Sequence, residues 1–201
     1  MDDPIHQSRK DFFKEAFSIF KKGVGNHVER KIFKNMDLPL RPPGALEEVE
    51  FLSTCTRCDA CVKACPHHSI LKKSLQGVSA GTPYIDPEKQ GCHLCSDFPC
   101  IESCEPGALI VANIQPVVRM GEAKVDTERC LTYREIQCTS CYDACPFPEK
   151  AIKIGFDRHP EVLDGCVGCG LCTKPCPAGP KAIKALSDTY LRRDNLEDSI
   201  F

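Results

Sequence analysis

The sequence is dominated by cysteine: sixteen of its 201 residues are Cys, and all of them lie between positions 55 and 176. They form four loops that begin at Cys55, Cys92, Cys130 and Cys166, and the interval of about 37 residues indicates one supersecondary unit used four times. Trp is absent and Leu, Ile and Val are thinly spread, so an apolar core alone would stabilise this chain poorly. We therefore expect a group bound by the cysteines to supply much of the folding free energy.

Two of the loops follow one short pattern, Cys-x2-Cys-x2-Cys-x3-Cys-Pro, which begins at Cys55 in the first loop and at Cys166 in the fourth. In bacterial ferredoxins the first three cysteines of this run bind one [4Fe–4S] cluster and the fourth binds the neighbouring cluster. Thiolates at every third position can surround one face of a cubane. The Pro that follows has no N–H and fixes the direction in which the chain leaves the loop.

The second and third loops also have four cysteines, but each contains one stretched interval: four residues between Cys95 and Cys100, and seven between Cys130 and Cys138. A longer interval can still return a thiolate to the same cubane, so no loop lacks a ligand. The sequence therefore predicts four [4Fe–4S] clusters, with the sixteen cysteines as cofactor-binding residues and iron ligands. These residues are Cys55, Cys58, Cys61, Cys65, Cys92, Cys95, Cys100, Cys104, Cys130, Cys138, Cys141, Cys145, Cys166, Cys169, Cys172 and Cys176.

Sixteen cysteines could also serve three other purposes. Structural zinc uses two pairs of ligands for each tetrahedral ion and does not explain triplets followed by a fourth cysteine and Pro. Disulfides need an oxidising compartment, and cysteines three residues apart in tight loops pair badly. A chain with three clusters would result if one of the stretched loops bound none.

The exchange of ligands between loops allows two arrangements. Because the first and fourth loops resemble each other, as do the second and third, we favour a nested pairing of the first with the fourth and the second with the third. The nested sets are Cys55, Cys58, Cys61 and Cys176; Cys166, Cys169, Cys172 and Cys65; Cys92, Cys95, Cys100 and Cys145; and Cys130, Cys138, Cys141 and Cys104. The alternative is sequential pairing, in which the first loop pairs with the second and the third with the fourth.

Residues 1–50 contain no cysteine and are predicted to form a helical arm followed by a Pro-rich linker. Ser8 and Asp11 resemble a capping box, and Phe residues then recur at helical spacing up to Phe20. This apolar face packs either on the chain itself or on a partner subunit. Prolines at positions 39, 42 and 43 indicate an extended linker, and residues 45–52 a short helix that leads into the first cysteine.

The same arm contains the residues from which we predict the cellular compartment of the protein. The sequence Ser-Arg-Lys-Asp-Phe-Phe at 8–13 resembles a twin-arginine export motif with one Arg replaced by Lys. An export signal would continue with an apolar region of at least about seven residues, whereas residues 16–20 alone separate Glu15 from Lys21. We therefore expect a cytoplasmic protein. No stretch of the sequence is apolar enough for a transmembrane segment.

A short apolar run follows each cysteine loop, and a turn and a strand-like stretch then lead to the next loop, as at 83–86 and 123–126. This alternation predicts an α+β fold of two ferredoxin-like units of the bacterial 2[4Fe–4S] type, with an N-terminal helical arm. The expected borders are 1–50 for the arm and linker, 51–185 for the double ferredoxin-like domain with four clusters, and 186–201 for a polar C-terminal tail.

The charge of the sequence and the motifs that it contains limit the classes of function expected for this chain. The formal net charge is −2, and Lys and Arg are interspersed with Asp and Glu, so nucleic acid is not an expected partner. Four oxidised clusters with their thiolates, at roughly −2 each, would bring the net charge to about −10 and attract a partner with a basic docking face. The sequence contains no phosphate-binding loop, flavin motif or nucleophile–base pair. We expect electron transport and not catalysis by this chain.

Two other classes of function would require different features. An enzyme acting at a cluster would need an iron with an open position, and hence a loop short of one cysteine. A redox sensor or a cluster-assembly scaffold would have labile clusters and no stable partner.

One stretch of sequence is similar to a known family. It begins at Arg-Pro-Pro-Gly-Ala (41–45), includes Cys-His-Leu-Cys (92–95), and ends with the glycine-flanked run at 165–170. In these motifs the chain resembles the NapG/MauM ferredoxin-type proteins of periplasmic nitrate reduction and methylamine use, over about residues 40–185. The resemblance implies electron transfer through four [4Fe–4S] clusters on the sixteen cysteines.

Those relatives are typically exported by a twin-arginine signal, from which this sequence departs. Similar four-cluster small subunits accompany cytoplasmic tungsten enzymes of the aldehyde oxidoreductase family, including benzoyl-coenzyme A reductase complexes. We therefore expect a non-catalytic subunit that passes single electrons to or from a larger tungsten or molybdenum pterin subunit in anaerobic metabolism. A soluble ferredoxin or another redox protein would be a further donor or acceptor. The alternative is a NapG-like component of a membrane quinol-oxidising chain.

Overall fold

The computed structural model of the protein describes residues 38–74, 77–114 and 118–191. The predicted Phe-rich helix and residues 192–201 of the predicted tail lie outside the described residues. Four short α-helices lie wholly within the described residues, and a further helical stretch covers 188–191. The four are α1 (Glu48–Thr54), α2 (Ala60–Ala64), α3 (Pro99–Glu102) and α4 (Ser140–Asp143). Two 3-10 helices cover Val111–Ile114 and Leu131–Arg134.

Six short strands complete the described part of the chain: β1 (Ile70–Lys72), β2 (Pro83–Ile85), β3 (Gly121–Val125), β4 (Ile152–Ile154), β5 (Pro160–Val162) and β6 (Ile183–Ser187). This mixture of short helices and strands confirms the α+β prediction. The strand-like stretches expected at 83–86 and 123–126 correspond to β2 and β3. The helix expected to lead into the first cysteine is α1.

The strands form three antiparallel ribbons of two strands each. β1 pairs with β2, with Ile70 opposite Ile85, and β4 pairs with β5, with Ile152 opposite Val162. These two hairpins connect the first cysteine loop to the second and the third to the fourth. β3 pairs with β6 and joins the segment before the third loop to the segment after the fourth. The chain from 118 to 191 is thereby closed into one half of the body.

The first half, residues 38–114, is closed by the segment that was expected to be a linker. The Leu46 N–H donates to the Ala108 carbonyl at 3.1 Å, and the Ile110 N–H donates to the Gly44 carbonyl at 2.8 Å. This backbone pairing occupies the place that the β3–β6 ribbon has in the second half. Pro42 and Pro43 are fully buried. Residues 38–50 therefore belong to the cysteine-rich body, contrary to the prediction of an extended linker.

A buried ion pair holds this segment in place. The Arg41 guanidinium donates from Nε to Glu48 Oε2 at 2.9 Å and from one terminal nitrogen to Thr82 Oγ1 at 2.8 Å and the Pro83 carbonyl at 2.7 Å. It also lies over the Phe51 ring, 4.5 Å from the ring centroid. The Arg41 and Glu48 side chains are only 8% and 3% exposed. Because each charge is matched by a partner, the pair links the N-terminal segment, α1 and β2 without an isolated buried charge.

The apolar core consists of two small groups of side chains in which cysteines are members. The larger group surrounds Phe51, Ile70, Ile85 and Leu109 of the first half and extends to Met120, Val167, Cys169 and Ala185 of the second. The smaller group surrounds Ile152 and Ile183 in the second half. Among the residues for which coordinates are described, no helix has the length and apolar character that crossing a membrane requires.

We expect Glu48→Gln to destabilise the protein by about 3 kcal/mol, because the buried Arg41 charge loses its partner. For a chain of this size, that change lowers the unfolding temperature by roughly 6–12 °C. The measurement is the temperature at which the visible absorbance of the bound clusters bleaches under anaerobic heating.

The matched control is Glu161→Gln, which removes the partner of Lys153 from an exposed ion pair on the β4–β5 hairpin. Its bleaching temperature should stay close to that of the wild type, since exposed pairs contribute little. Equal shifts for the two variants would contradict the structural role assigned to the Arg41–Glu48 pair.

Candidate metal centres

Four cavities in the described part of the chain are each lined by four cysteines, three from one loop and one from another. Site A contains Cys55, Cys58, Cys61 and Cys104; site B contains Cys65, Cys92, Cys95 and Cys100; site C contains Cys145, Cys166, Cys169 and Cys172; and site D contains Cys130, Cys138, Cys141 and Cys176. The space around each set, part of which is open to solvent, is about 340, 330, 390 and 370 Å³ in the same order. Their similar size indicates the same kind of occupant in all four.

All sixteen predicted residues fall into these sets, each of them once, and both stretched loops provide three cysteines to a set. The structure thus brings every predicted ligand to a site. That each thiolate binds iron stays a prediction.

The nested exchange favoured from the sequence is wrong. Cys104 lies with the cysteines of the first loop and Cys65 with those of the second, so these two loops exchange their fourth cysteines. The third and fourth loops do the same through Cys145 and Cys176. The physical reason is that the β1–β2 and β4–β5 hairpins return the chain from each loop directly to the next.

Left-handed backbone conformations shape the first and fourth loops around their sites. Arg57 and Asp59 have φ angles of 61° and 64°, and Gly168 and Gly170, at the same offsets in the fourth loop, have 70° and 78°. This conformation turns successive N–H groups toward one side of the loop. In the first loop the left-handed conformation costs roughly 1–2 kcal/mol at each non-glycine residue. Binding of the group in the site has to offset this cost.

Glycine is required at Gly168 for a second reason. A Cβ placed there would lie 2.4–2.6 Å from the backbone atoms of Gly121 at the start of β3. Neither backbone can yield, so a side chain at this position would push the fourth loop away from the ribbon that supports it.

Backbone N–H groups point at the sulfur atoms of the exchanged cysteines. The Ser69 N–H lies 3.4 Å from Cys65 Sγ, the Leu109 N–H 3.4 Å from Cys104 Sγ, and the Phe147 N–H 3.4 Å from Cys145 Sγ. The donors lie four, five and two residues after their cysteines, and those at Ser69 and Leu109 stand in the short apolar run that follows the loop. Such bonds favour the negatively charged form of sulfur that binds iron.

Two hydroxyl groups also lie beside cysteine sulfurs in the stretched third loop, and the sequence analysis missed them. Thr132 Oγ1 lies 3.3 Å from Cys130 Sγ, and Ser140 Oγ lies 3.5 Å from Cys138 Sγ. In both cases the hydroxyl residue is two positions after the cysteine. The repeated pattern Cys-x-Ser/Thr was the signal in the sequence.

The electrostatics of the sites favour a positively charged occupant. Burial, together with the charges of Cys104, Cys55 and Cys58, raises the pKa of the Cys61 thiol to about 12. Burial likewise raises the pKa of Cys92 to about 12, with added repulsion from Cys169, Cys95 and Cys65. Thiols with such pKa values stay protonated at neutral pH unless a cation replaces the proton, so binding of iron releases protons here.

One cysteine differs from the rest. Cys58 in site A is the exposed member of the sixteen, and the others are buried or half-buried. The pKa of Cys58 is lowered, first by the N–H of Ala60 and then by the Thr56 hydroxyl. Site A is thus open to solvent at one corner.

The donor sets fit [4Fe–4S] clusters better than the alternatives considered from the sequence. All sixteen cysteines are free thiols, and none is paired as a disulfide. Within the described residues, no group of three or more His, Cys, Asp or Glu side chains converges on a single point as a lone metal ion would need. Four thiols arranged around a cavity, with N–H donors behind the sulfurs, suit a cubane.

Comparisons with known proteins agree with this assignment. Residues 50–71 match the family described as "4Fe-4S binding domain", and residues 123–184 match the "4Fe-4S dicluster domain". The dicluster match spans the third and fourth loops, in accord with their exchange of ligands. No solved structure matches the chain at a significant level.

The chain is 36% identical to the ferredoxin-type protein NapG of Escherichia coli over 192 residues, which cover 88% of this chain and 83% of that relative. It belongs to the NapG/MauM family of ferredoxin-type proteins. Another family member, the methylamine utilization ferredoxin-type protein MauM of Methylorubrum extorquens, is 37% identical over 73% of this chain and 72% of its own. The NapG/MauM chain described here is thus an iron–sulfur electron-transfer protein with four [4Fe–4S] clusters.

The sequential pairing predicts how ligand substitutions combine. Cys55→Ala should destroy or alter one centre and leave three intact four-iron centres. Cys55→Ala/Cys104→Ala should also leave three, because both ligands belong to site A. Cys55→Ala/Cys176→Ala should leave two, because its ligands belong to sites A and D. Mössbauer spectroscopy of the anaerobically prepared protein counts the intact centres.

The nested arrangement predicts the reverse order for the two double variants, so they act as controls for each other. Three intact centres in Cys55→Ala/Cys176→Ala would refute the sets described above.

Proposed function

We propose that this NapG/MauM-family chain is the electron-transfer subunit of a cytoplasmic oxidoreductase complex. In this role it passes single electrons along its four clusters to or from a larger catalytic subunit of the tungsten or molybdenum pterin class. The observation that carries the proposal is the gathering of sixteen thiols into four complete sets around cavities of similar size. A complete set of four thiols favours electron transfer over chemistry at an iron with an open position.

Each bound [4Fe–4S] cluster supplies one-electron redox chemistry, at a potential that depends on burial, net charge and hydrogen bonds to sulfur. The chain's own residues set these conditions. The cysteines hold the group, the N–H groups of Ser69, Leu109 and Phe147 donate to sulfur, and Leu94 and Val167 pack beside the cysteines and limit access of water. No step at these sites requires movement of a proton or a substrate atom.

The cytoplasmic location and the pterin enzyme are the finer parts of the proposal. They are supported by the sequence around Arg9, where the twin-arginine pattern is incomplete and the following uncharged run is short.

A second candidate function is supported by the family relationship. In it the chain is a NapG-like component of a membrane quinol-oxidising electron-transfer chain. The identity of 36% with NapG, over most of both chains, favours this candidate. The two candidates share the same one-electron chemistry and differ in partner and compartment.

Anaerobic purification of the protein from its native host, followed by metal analysis, separates the two candidates. Co-migration with a tungsten or molybdenum protein in the soluble fraction is the expected result. Association with a membrane quinol oxidase would overturn the finer proposal and establish the second candidate.

The common part of both candidates has its own test. The anaerobically isolated chain should contain about sixteen iron atoms and accept about four electrons in a reductive titration, one per cluster. A folded chain that is colourless and free of iron would eliminate both candidates. An iron content near twelve would remove one cluster from the description.

A further inference from the structure

The two halves of the body meet at their cysteine loops. The N–H of Cys92, a member of site B, donates to the carbonyl of Cys169, a member of site C, at 2.7 Å. Cys92 and Cys169 are each only 9% exposed. One backbone hydrogen bond thus links a predicted ligand of the first half to a predicted ligand of the second.

Gly91 makes this close approach possible. A Cβ at position 91 would lie 2.5 Å from the Leu171 nitrogen, 2.6 Å from the Gly170 carbonyl carbon and 2.8 Å from the Cys169 oxygen. All three are backbone atoms, which cannot yield as the end of a flexible side chain could. Any side chain at 91 would therefore force the two halves apart.

Further contacts hold together the two cysteine loops that the Cys92–Cys169 bond links. The buried Ser69 hydroxyl donates to the Gly91 carbonyl at 2.7 Å and fixes that peptide from the side of the first half. Lys174 Nζ donates to Gln90 Oε1 at 2.9 Å across the junction. These contacts lie beside the Cys92–Cys169 bond, so the two loops are positioned as a unit.

Within each half, the sites are linked by the exchanged cysteines. Cys61 of site A and Cys65 of site B are four residues apart, joined by α2, and Cys141 of site D and Cys145 of site C are likewise joined by α4. The sites are therefore adjacent in the order A–B in the first half and C–D in the second. In the first half the exposure of the cysteines differs between the two sites: site A has the exposed Cys58, whereas three of the four cysteines of site B are buried.

We propose that the Cys92–Cys169 hydrogen bond, with Gly91 as its positioning residue, is the electron-transfer junction between the two halves. The four centres then form one unbranched series, A–B–C–D, whose outer ends A and D exchange electrons with partners. This inference rests on the proposed electron-transfer function. With clusters bound by the cysteines of sites B and C, one electron would pass across the junction, so that the centre of site B would be oxidised by one electron and the centre of site C reduced by one. No covalent bond changes and no proton moves, and one-electron redox proteins at A and D supply and remove the electron.

The order of the series is tested by removing one centre at a time and recording the electron paramagnetic resonance spectrum of the fully reduced protein. Two ligands of a set are changed together so that the whole centre is lost: Cys55 and Cys58 for A, Cys95 and Cys100 for B, Cys166 and Cys172 for C, and Cys138 and Cys141 for D, each to Ala. Loss of B or C should leave one magnetically isolated centre and one coupled pair. Loss of A or D should leave three coupled centres and no isolated one.

The role of Gly91 is tested by Gly91→Ala in the holoprotein. We expect the iron content to be retained and the spin–spin coupling between B and C to be weakened, while the couplings within A–B and within C–D stay as in the wild type. The control is Gly179→Ala, where an added Cβ meets nothing within 4 Å. A merely structural role for Gly91 would alter thermal stability and leave the coupling unchanged.

The outcomes separate the inference from the function on which it rests. A wild-type protein without reducible paramagnetic centres would remove the proposed function itself. Reducible centres with an isolated spin after loss of A or D, or with none after loss of B or C, would overturn the series alone. If Gly91→Ala does not assemble four clusters, the centre-removal variants decide the question.

Discussion

The desolvation of sixteen thiols in four sets is the constraint on which the rest of this structure depends. Thiols whose pKa values rise to about 12, such as Cys61, Cys92 and Cys100, oppose the charged form that binds iron, and their mutual repulsion adds to this effect. A cluster core that carries positive iron reverses the balance, because it replaces the protons and satisfies four thiolates at once. The small apolar groups around Phe51 and Ile152 could not hold such sets together alone, and the three-residue strands do little more than connect one loop to the next. Folding and cluster binding are thus parts of one equilibrium in this protein.

The features that the sequence could predict are those decided within a few residues. Ligand identity, the presence of four sets and the strands near Tyr84 and Lys124 follow from local spacing, and the structure agrees with them. The exchange of ligands does not follow from local spacing. Resemblance between two loops reports that each surrounds a similar object, whereas the exchange depends on which loop the intervening hairpin brings alongside. The prediction of an extended linker in the Pro-rich segment was wrong for the same reason. The partners that bury Arg41 include Thr82 and Pro83, some forty residues away in the sequence.

The two halves differ in the segment that closes each of them and in the residues at the left-handed positions of their cysteine loops. The second half is closed by the regular β3–β6 ribbon, and its fourth loop has glycines at both left-handed positions. The first half is closed by an irregular segment held by the Arg41–Glu48 pair, and its first loop places Arg57 and Asp59 in the same conformation. The sites differ accordingly, with an exposed corner at Cys58 in A and a nearly enclosed set in B. Since burial and hydrogen bonds to sulfur tune cluster potentials, four sites with identical ligand types need not have identical potentials.

The same reasoning indicates where partner choice is encoded. Relatives at nearly equal identity, 36% for NapG and 37% for MauM, carry names that refer to different proteins and, for MauM, to methylamine utilization. Cysteine ligands and their N–H donors serve any one-electron exchange, so they cannot distinguish one partner from another. The distinction has to come from surfaces that touch the partner, and an electron leaving an unbranched series leaves through its outer sites. Residues around the exposed Cys58 in site A, and around Tyr133 and Ile136 beside site D, are therefore free to diverge without disturbing the inner junction at Gly91.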